Sequence, residues 1–131
     1  MRFKLVDIRL AWDEIKPHVE ALKGRYSFDW RPEDVYAQCL TGRAFCYVCD
    51  DGFMIVKPQE NQFTLEKELF MWIGIGWSGE DLINEYYEDT CAIAKEIYAT
   101  KIVFDSSREG FRKVAKNNHW GYMATYSVPV V

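Results

Sequence analysis

The spacing of apolar residues changes several times along the chain, and each change predicts an element. Phe3, Leu5, Ile8 and Leu10 fall among Arg2, Lys4, Asp7 and Arg9, which predicts a first strand over Phe3 to Leu10 with a slip in phase near Asp7. Trp12, Ile15, Val19 and Leu22 then recur at helical spacing. Proline suits a first turn and not a helix interior, so the main helix is expected to start close to Pro17 and stop at Gly24. Arg31-Pro32-Glu33-Asp34-Val35 opens a second helix, with acids near the positive end of its dipole and Gly42 as its stop. Two strands, Ala44 to Cys49 and Phe53 to Lys57, flank the hairpin signal Asp50-Asp51-Gly52.

Glu68 to Ile75 is apolar on both faces, the pattern of a central strand covered on both sides. The longest helix is expected from Glu80 to about Tyr98. Leu82, Tyr86, Thr90, Ile93 and Ile97 form one stripe, and Ile83, Tyr87, Cys91, Ala94 and Tyr98 the next. Lys101 to Asp105 reads as a buried strand, followed by Ser106-Ser107 as a helix cap. Phe111, Val114 and Ala115 face inward on a last helix that ends at Asn117-Asn118. Tyr122 to Val130 is expected to be the final strand, with Pro129 at an edge. The order is β-α-α-β-β-β-α-β-α-β in one α+β domain over residues 1–131. A helical crossover joins strands that run parallel, so the strands on either side of the long helix form a parallel pair in an otherwise antiparallel sheet.

Composition narrows the partners. Hydrophobic residues make up 49% and charged residues 27% of 131 residues, which is globular usage. Five Trp, eight Tyr and eight Phe suit a core packed with rings, with any surplus available to a partner or an acyl chain. Acids outnumber bases 20 to 16, the net charge is −4 and no Lys/Arg run occurs, which argues against a grip on nucleic-acid phosphates. No apolar run reaches the roughly 20 residues of a membrane span, and the alternating Met1 to Asp7 lacks the core of a secretion signal, so a cytoplasmic protein is expected.

Candidate chemistry is sparse. Cys46 and Cys49 have C-x-x-C spacing within a strand, where residues three apart point to opposite faces, and no second pair or nearby His completes a zinc set. With Cys39 and Cys91 they read as free thiols in a reducing compartment. Asp50-Asp51-Gly52 lacks the other ligands of a calcium loop. His18 is expected to be solvated on its helix, and His119 lies in a turn. Arg108 and Arg112 could clasp an anion or a carboxylate partner. No G-x-S-x-G elbow supports a Ser-His-Asp site.

The element order over nearly the whole chain resembles the GNAT acyl-CoA N-acyltransferases. Trp120-Gly121-Tyr122 looks like that family's Gly-aromatic step, and Ala94 with Lys101 to Asp105 like the helix and strand after its cofactor loop. Arg108-x-Gly110-Phe111, Gly121, and Gly42-Arg43-Ala44 leading into Phe45-Cys46-Tyr47-Val48 resemble small phage-encoded GNAT-like proteins more closely. The resemblance implies an acyl-CoA groove beside the central strand, with Ile75, Gly76, Trp77, Ser78 and Gly79 as the cofactor-binding segment.

The departures shape the functional expectation. The family's Q/R-x-x-G-x-G/A loop is replaced by Ile75 to Leu82, with Gly74, Gly76 and Gly79 but with Glu80 and Asp81 where a diphosphate would arrive. Such charges oppose a phosphate by about 1 kcal/mol per close pair in water. The family's general-acid Tyr is replaced by Asn117, and Leu69 to Trp77 holds no carboxylate; Glu66 and Glu68 stand near the start of that strand. The leading expectation is therefore a phage- or prophage-type GNAT-like protein with a degenerate acyl-CoA site and no cofactor. It would act through contacts with a phage or host protein, in particle assembly or on a host target, in the host cytoplasm or the virion; a homodimer is compatible with this. The rival expectation is an active acetyl-CoA-dependent N-acetyltransferase with a divergent loop, using backbone amides near Trp77 to Gly79.

Overall fold

The computed structural model describes residues 2–25, 28–79, 85–105, 110–121 and 126–130. Its elements run β1 (Lys4–Val6), α1 (Ile8–Arg25), α2 (Pro32–Leu40), β2 (Phe45–Val48), β3 (Gly52–Glu60), β4 (Lys67–Gly76), α3 (Tyr87–Glu96), β5 (Lys101–Val103) and α4 (Gly110–Asn117). The five strands form one sheet in the order β1-β2-β3-β4-β5. Neighbours pair antiparallel except β4 and β5, which are parallel across the α3 connection as expected.

The first strand is shorter than its alternation suggests. The phase slip at Asp7 is where strand turns into helix: the Asp7 carbonyl accepts from Leu10 N at 3.0 Å, and its Oδ1 accepts from Arg9 N at 2.9 Å. Asp7 thus satisfies two of the donors a helix start leaves open. Pro17 was expected near the start of this helix and lies well inside α1 instead. It sits on the exposed side, where the carbonyl that loses its donor can meet water. On the opposite side Ile8, Ile15 and Val19 are buried. Each is worth about 1.5–3 kcal/mol in place, together more than the roughly 3 kcal/mol that an interior proline costs.

α2 matches its signal. Arg31 N donates to Asp34 Oδ2 at 2.7 Å, Thr41 closes the helix, and Gly42 follows at φ +77°. The hairpin forms at Asp50-Asp51-Gly52, with Cys49 N donating to Gly52 O at 2.9 Å. Among the described residues α3 is shorter than expected. Tyr86, Thr90, Ile93 and Ala94 are buried, but Tyr98 lies past the helix end at φ +61° and is 82% exposed. β5 is half-buried rather than buried. Tyr126 to Val130 is exposed and carries no strand. Glu80, Asp81, Leu82, Ile83, Ser106, Ser107, Arg108, Glu109 and Tyr122 to Thr125 lie outside the described residues, as does the Phe111 side chain.

The sheet separates two cores. α1 and α2 cover one face over Ala44, Cys46, Phe53, Ile55, Ile73 and Ile75. α3 covers the other over Phe3, Met54, Val56, Leu69 and Met71. Cys46 belongs to the first core and Cys49 packs on the second, so the C-x-x-C pair straddles the sheet. Burial pushes the Cys46 thiol up to about 12 and the Cys39 thiol up to about 11. At pH 8 the Cys46 thiol is then held almost wholly in its protonated, unreactive form. Iodoacetamide at that pH should leave Cys46 unmodified until denaturant is added; peptide mapping that found early labelling there would contradict the burial.

Candidate acyl-CoA groove

β4 carries the distinguishing geometry. It pairs with β3 along its whole length to Gly76, but with β5 only from Glu68–Lys101 to Phe70–Val103. Met71 to Gly76 therefore has no strand partner on the β5 side among the described residues. The register with β3 also shifts: Ile55 faces Ile73 and Val56 faces Met71, so Trp72 is an extra residue. This bulge flips the strand's phase. Leu69 and Met71 pack towards α3, whereas Trp72, Ile73 and Ile75 pack towards α1 and α2. A bulge bends its strand and strengthens the local twist, and here it sits where β5 stops following β4. Beyond Phe70 and Val103 the two parallel strands no longer pair, and among the described residues that edge of β4 has no strand partner.

The segment Ile75 to Gly79 lies at the far end of that edge. Ile75 is buried against the α1/α2 core and Gly76 is paired with Gly52. Trp77 N donates to Asp51 O at 3.0 Å and Gly79 N to Gly76 O at 2.9 Å, with Gly79 at φ +89°. Two amides expected to face a ligand thus hold the turn together, while the exposed Ser78 N–H has no backbone partner among the described residues. The Trp77 ring stacks on Phe53 at 5.5 Å and meets His18 at 5.3 Å. His18, expected to be solvated, is instead half-buried and ties α1 to the end of β4.

Past the end of β5 three rings meet. Trp120 packs edge-on against Phe104, just past β5, at 5.7 Å, and lies 6.0 Å from Tyr87 at the start of α3. An open cleft of about 410 Å³ there is lined by Glu85, Tyr87, Glu88, Asn118 and Trp120. A larger one, about 580 Å³ around Leu5, Asp7, Arg9 and Cys39, lies beside β1 at the opposite edge of the sheet. Glu88 and Asp89 occupy the first turn of α3, and Asp89 is bridged by Arg2 at 2.6 Å.

The acid and base candidates lie away from the Met71–Gly76 stretch of β4. Glu68 accepts from Gln59 at 3.1 Å and Glu66 from Thr100 at 3.3 Å, both at the end of β4 where β5 still pairs or has yet to begin. Asn117 closes α4 and is exposed, and His119 follows it in a left-handed turn at φ +58°. Tyr86 is buried in the α3 core, and its hydroxyl accepts from the Cys49 thiol at 3.5 Å. Sequence reasoning missed the Trp72 bulge and the contact it creates with Trp30, at 5.6 Å. A strand apolar on both faces gives no alternation in which a phase flip could register.

No protein-family model matches the chain, and no curated protein matches its sequence. Solved structures do match. A probable acetyltransferase aligns over 100% of this chain and 99% of its own, with TM-score 0.70 and 14% identity. The ribosomal-protein-alanine N-acetyltransferase of Brucella melitensis biovar Abortus 2308 aligns over 100% and 99%, with TM-score 0.62 and 17% identity. An aminoglycoside acetyltransferase from an uncultured soil metagenomic sample, in complex with sisomicin, aligns over 98% and 95%, with TM-score 0.63 and 8% identity. The chain has the α+β fold of the GNAT acyl-CoA N-acyltransferases.

Proposed function

We propose that the chain is an N-acyltransferase that draws its acyl group from an acyl-CoA, acetyl-CoA being the simplest, lodged where β4 and β5 part. The observation that carries this reading is the edge of β4 from Met71 to Gly76, which has no strand partner on the β5 side among the described residues and contains the Trp72 bulge. A free strand edge offers alternating N–H and C=O groups, and an extended chain bearing amides can add to it as a further strand. The pantetheine arm of an acyl-CoA is such a chain, and the bound molecule supplies a thioester. Met71 to Gly76 would hold that arm, with Ser78 N–H near its phosphate end. With no carboxylate between Leu69 and Trp77, the amine's proton would leave through water rather than to a side chain on β4.

Titration calorimetry with acetyl-CoA tests the reading. Binding is expected in the range of about 10–100 μM, some 5–7 kcal/mol. Because the grip is mostly on backbone amides, affinity should fall little between low and physiological salt. No heat at millimolar acetyl-CoA would overturn it.

A second reading is favoured by Glu85 and Glu88, two carboxylates that line the cleft beside Trp120 and would repel a diphosphate placed there. In it the acyl-CoA site is degenerate and the chain acts through a protein partner, as a phage-type protein in particle assembly or on a host target. The same titration separates the two.

A further inference from the structure

We infer that His18 is a positioning residue of the acyl-CoA site: its ring holds Trp77 against Phe53 and so fixes the turn from Gly76 to Gly79. This rests on the acyltransferase reading, in which that turn offers the Ser78 N–H to the phosphate end of the cofactor.

The turn lies where the sheet stops. The β3–β4 ladder ends at the Gly52–Gly76 pair, and the chain leaves the sheet beyond it. Gly76 and Gly79 have no side chain and Ser78 is exposed, so within the turn it is the Trp77 side chain that packs on the body of the protein. Glycine has the most backbone freedom to lose on ordering, and Gly79 is held at φ +89°. The bonds from Trp77 N to Asp51 O at 3.0 Å and from Gly79 N to Gly76 O at 2.9 Å stay within this end of the sheet. Neither ties the turn to the helical layer.

The rings do. Phe53 on β3 is fully buried, and Trp77 stacks on it at 5.5 Å with 28° between the planes. His18 meets both rings, 5.3 Å from Trp77 and 6.1 Å from Phe53, tilted by 57° and 59°. Its own place is firm, because α1 is anchored at this level by Ile15 and Val19, both fully buried. A ring pair contributes beyond the area it buries, through the match of positive edge to negative face. His18 therefore passes the rigidity of α1 to a segment that the ladder no longer holds. It acts on the cofactor through Trp77. A donor already aimed at its acceptor binds more tightly than one that must be ordered on binding.

Titration calorimetry with acetyl-CoA, together with amide hydrogen exchange of the ligand-free protein, tests the inference. His18→Ala should weaken acetyl-CoA binding about five- to tenfold, the size of effect one ring pair has. Exchange at the Trp77 and Gly79 amides should quicken by a similar factor. His18→Phe keeps a ring and should restore both readings; His18→Leu fills the space without one and should not. Gly42→Ala, which loses stability at a distant turn, should bind acetyl-CoA as the wild type does, so that general destabilisation is told apart from positioning. Wild-type affinity in His18→Ala would overturn the inference and leave the acyltransferase reading standing. If the wild-type protein itself gives no heat with acetyl-CoA, the acyltransferase reading falls. Faster exchange at Trp77 and Gly79 in His18→Ala would then still support the hold on the turn, and unchanged exchange would remove it too.

Discussion

Gly52→Ala should destabilise the protein by about 3 kcal/mol or more, the upper range for forced overpacking. A Cβ there would lie 2.2 Å from Ile75 O, 2.7 Å from Gly76 Cα and 3.0 Å from Ile75 C. All three are backbone atoms of β4, so no side chain can swing aside. β3 and β4 must separate at the end of the hairpin, which also strains the bond from Trp77 N to Asp51 O. Since Ile75 to Gly79 follows from that point, any folded fraction should also lose acetyl-CoA binding. Two controls isolate the cause. Gly24→Ala in α1 meets nothing within 4 Å and should be neutral or stabilising by up to about 1 kcal/mol. Gly42→Ala meets nothing either, but holds φ +77° and should cost about 1 kcal/mol. Urea unfolding of the three variants gives the ranking, and a Gly52→Ala midpoint equal to that of Gly42→Ala would refute the clash.

Tyr86→Ala should cost about 3–5 kcal/mol, as removal of a large buried ring does. Tyr86 is fully buried at the entry to α3, with Phe3 edge-on at 4.6 Å and the Arg2 guanidinium 5.0 Å above its ring. Its carbonyl accepts from Thr90 N at 2.9 Å and from Thr90 Oγ1 at 2.8 Å, which fixes the first turn. Tyr86→Phe keeps the ring and should cost only about 1 kcal/mol. It should also change the alkaline limb. Burial, reinforced by the bond with Cys49, pushes the Tyr86 phenol well above its ordinary value. An acid raised in this way contributes stability that is intact below the unfolded value of about 10 and is lost as pH climbs from there towards the folded value. Tyr86→Phe should lack that share of the alkaline loss, so identical melting profiles from pH 9 to 11 would count against the assigned environment.

The helices and hairpin were legible where a local chemical signal marked them. Arg31-Pro32 with Asp34 opened α2, and Asp50-Asp51-Gly52 turned the chain, because both depend on contacts a few residues apart. Pro17 misled for the same reason. Its local penalty favours a helix start, and only the buried row of Ile8, Ile15 and Val19 outweighs it. At Asp7 the phase slip was visible, but whether the chain stayed extended or coiled depended on Asp7 side-chain and backbone acceptors meeting Arg9 and Leu10.

What the sequence determined by itself was the order of elements from β1 to α4, the apolar faces and the absence of a carboxylate from Leu69 to Trp77, since these follow from residue type and short-range periodicity. Tertiary structure alone decided the bulge at Trp72, the early end of the β4–β5 ladder, the packing of half-buried His18 against Trp77 and the meeting of Trp30 with Trp72. Each of these is set by pairing between residues far apart in the chain, where a shift of one residue in register reverses the face a side chain presents.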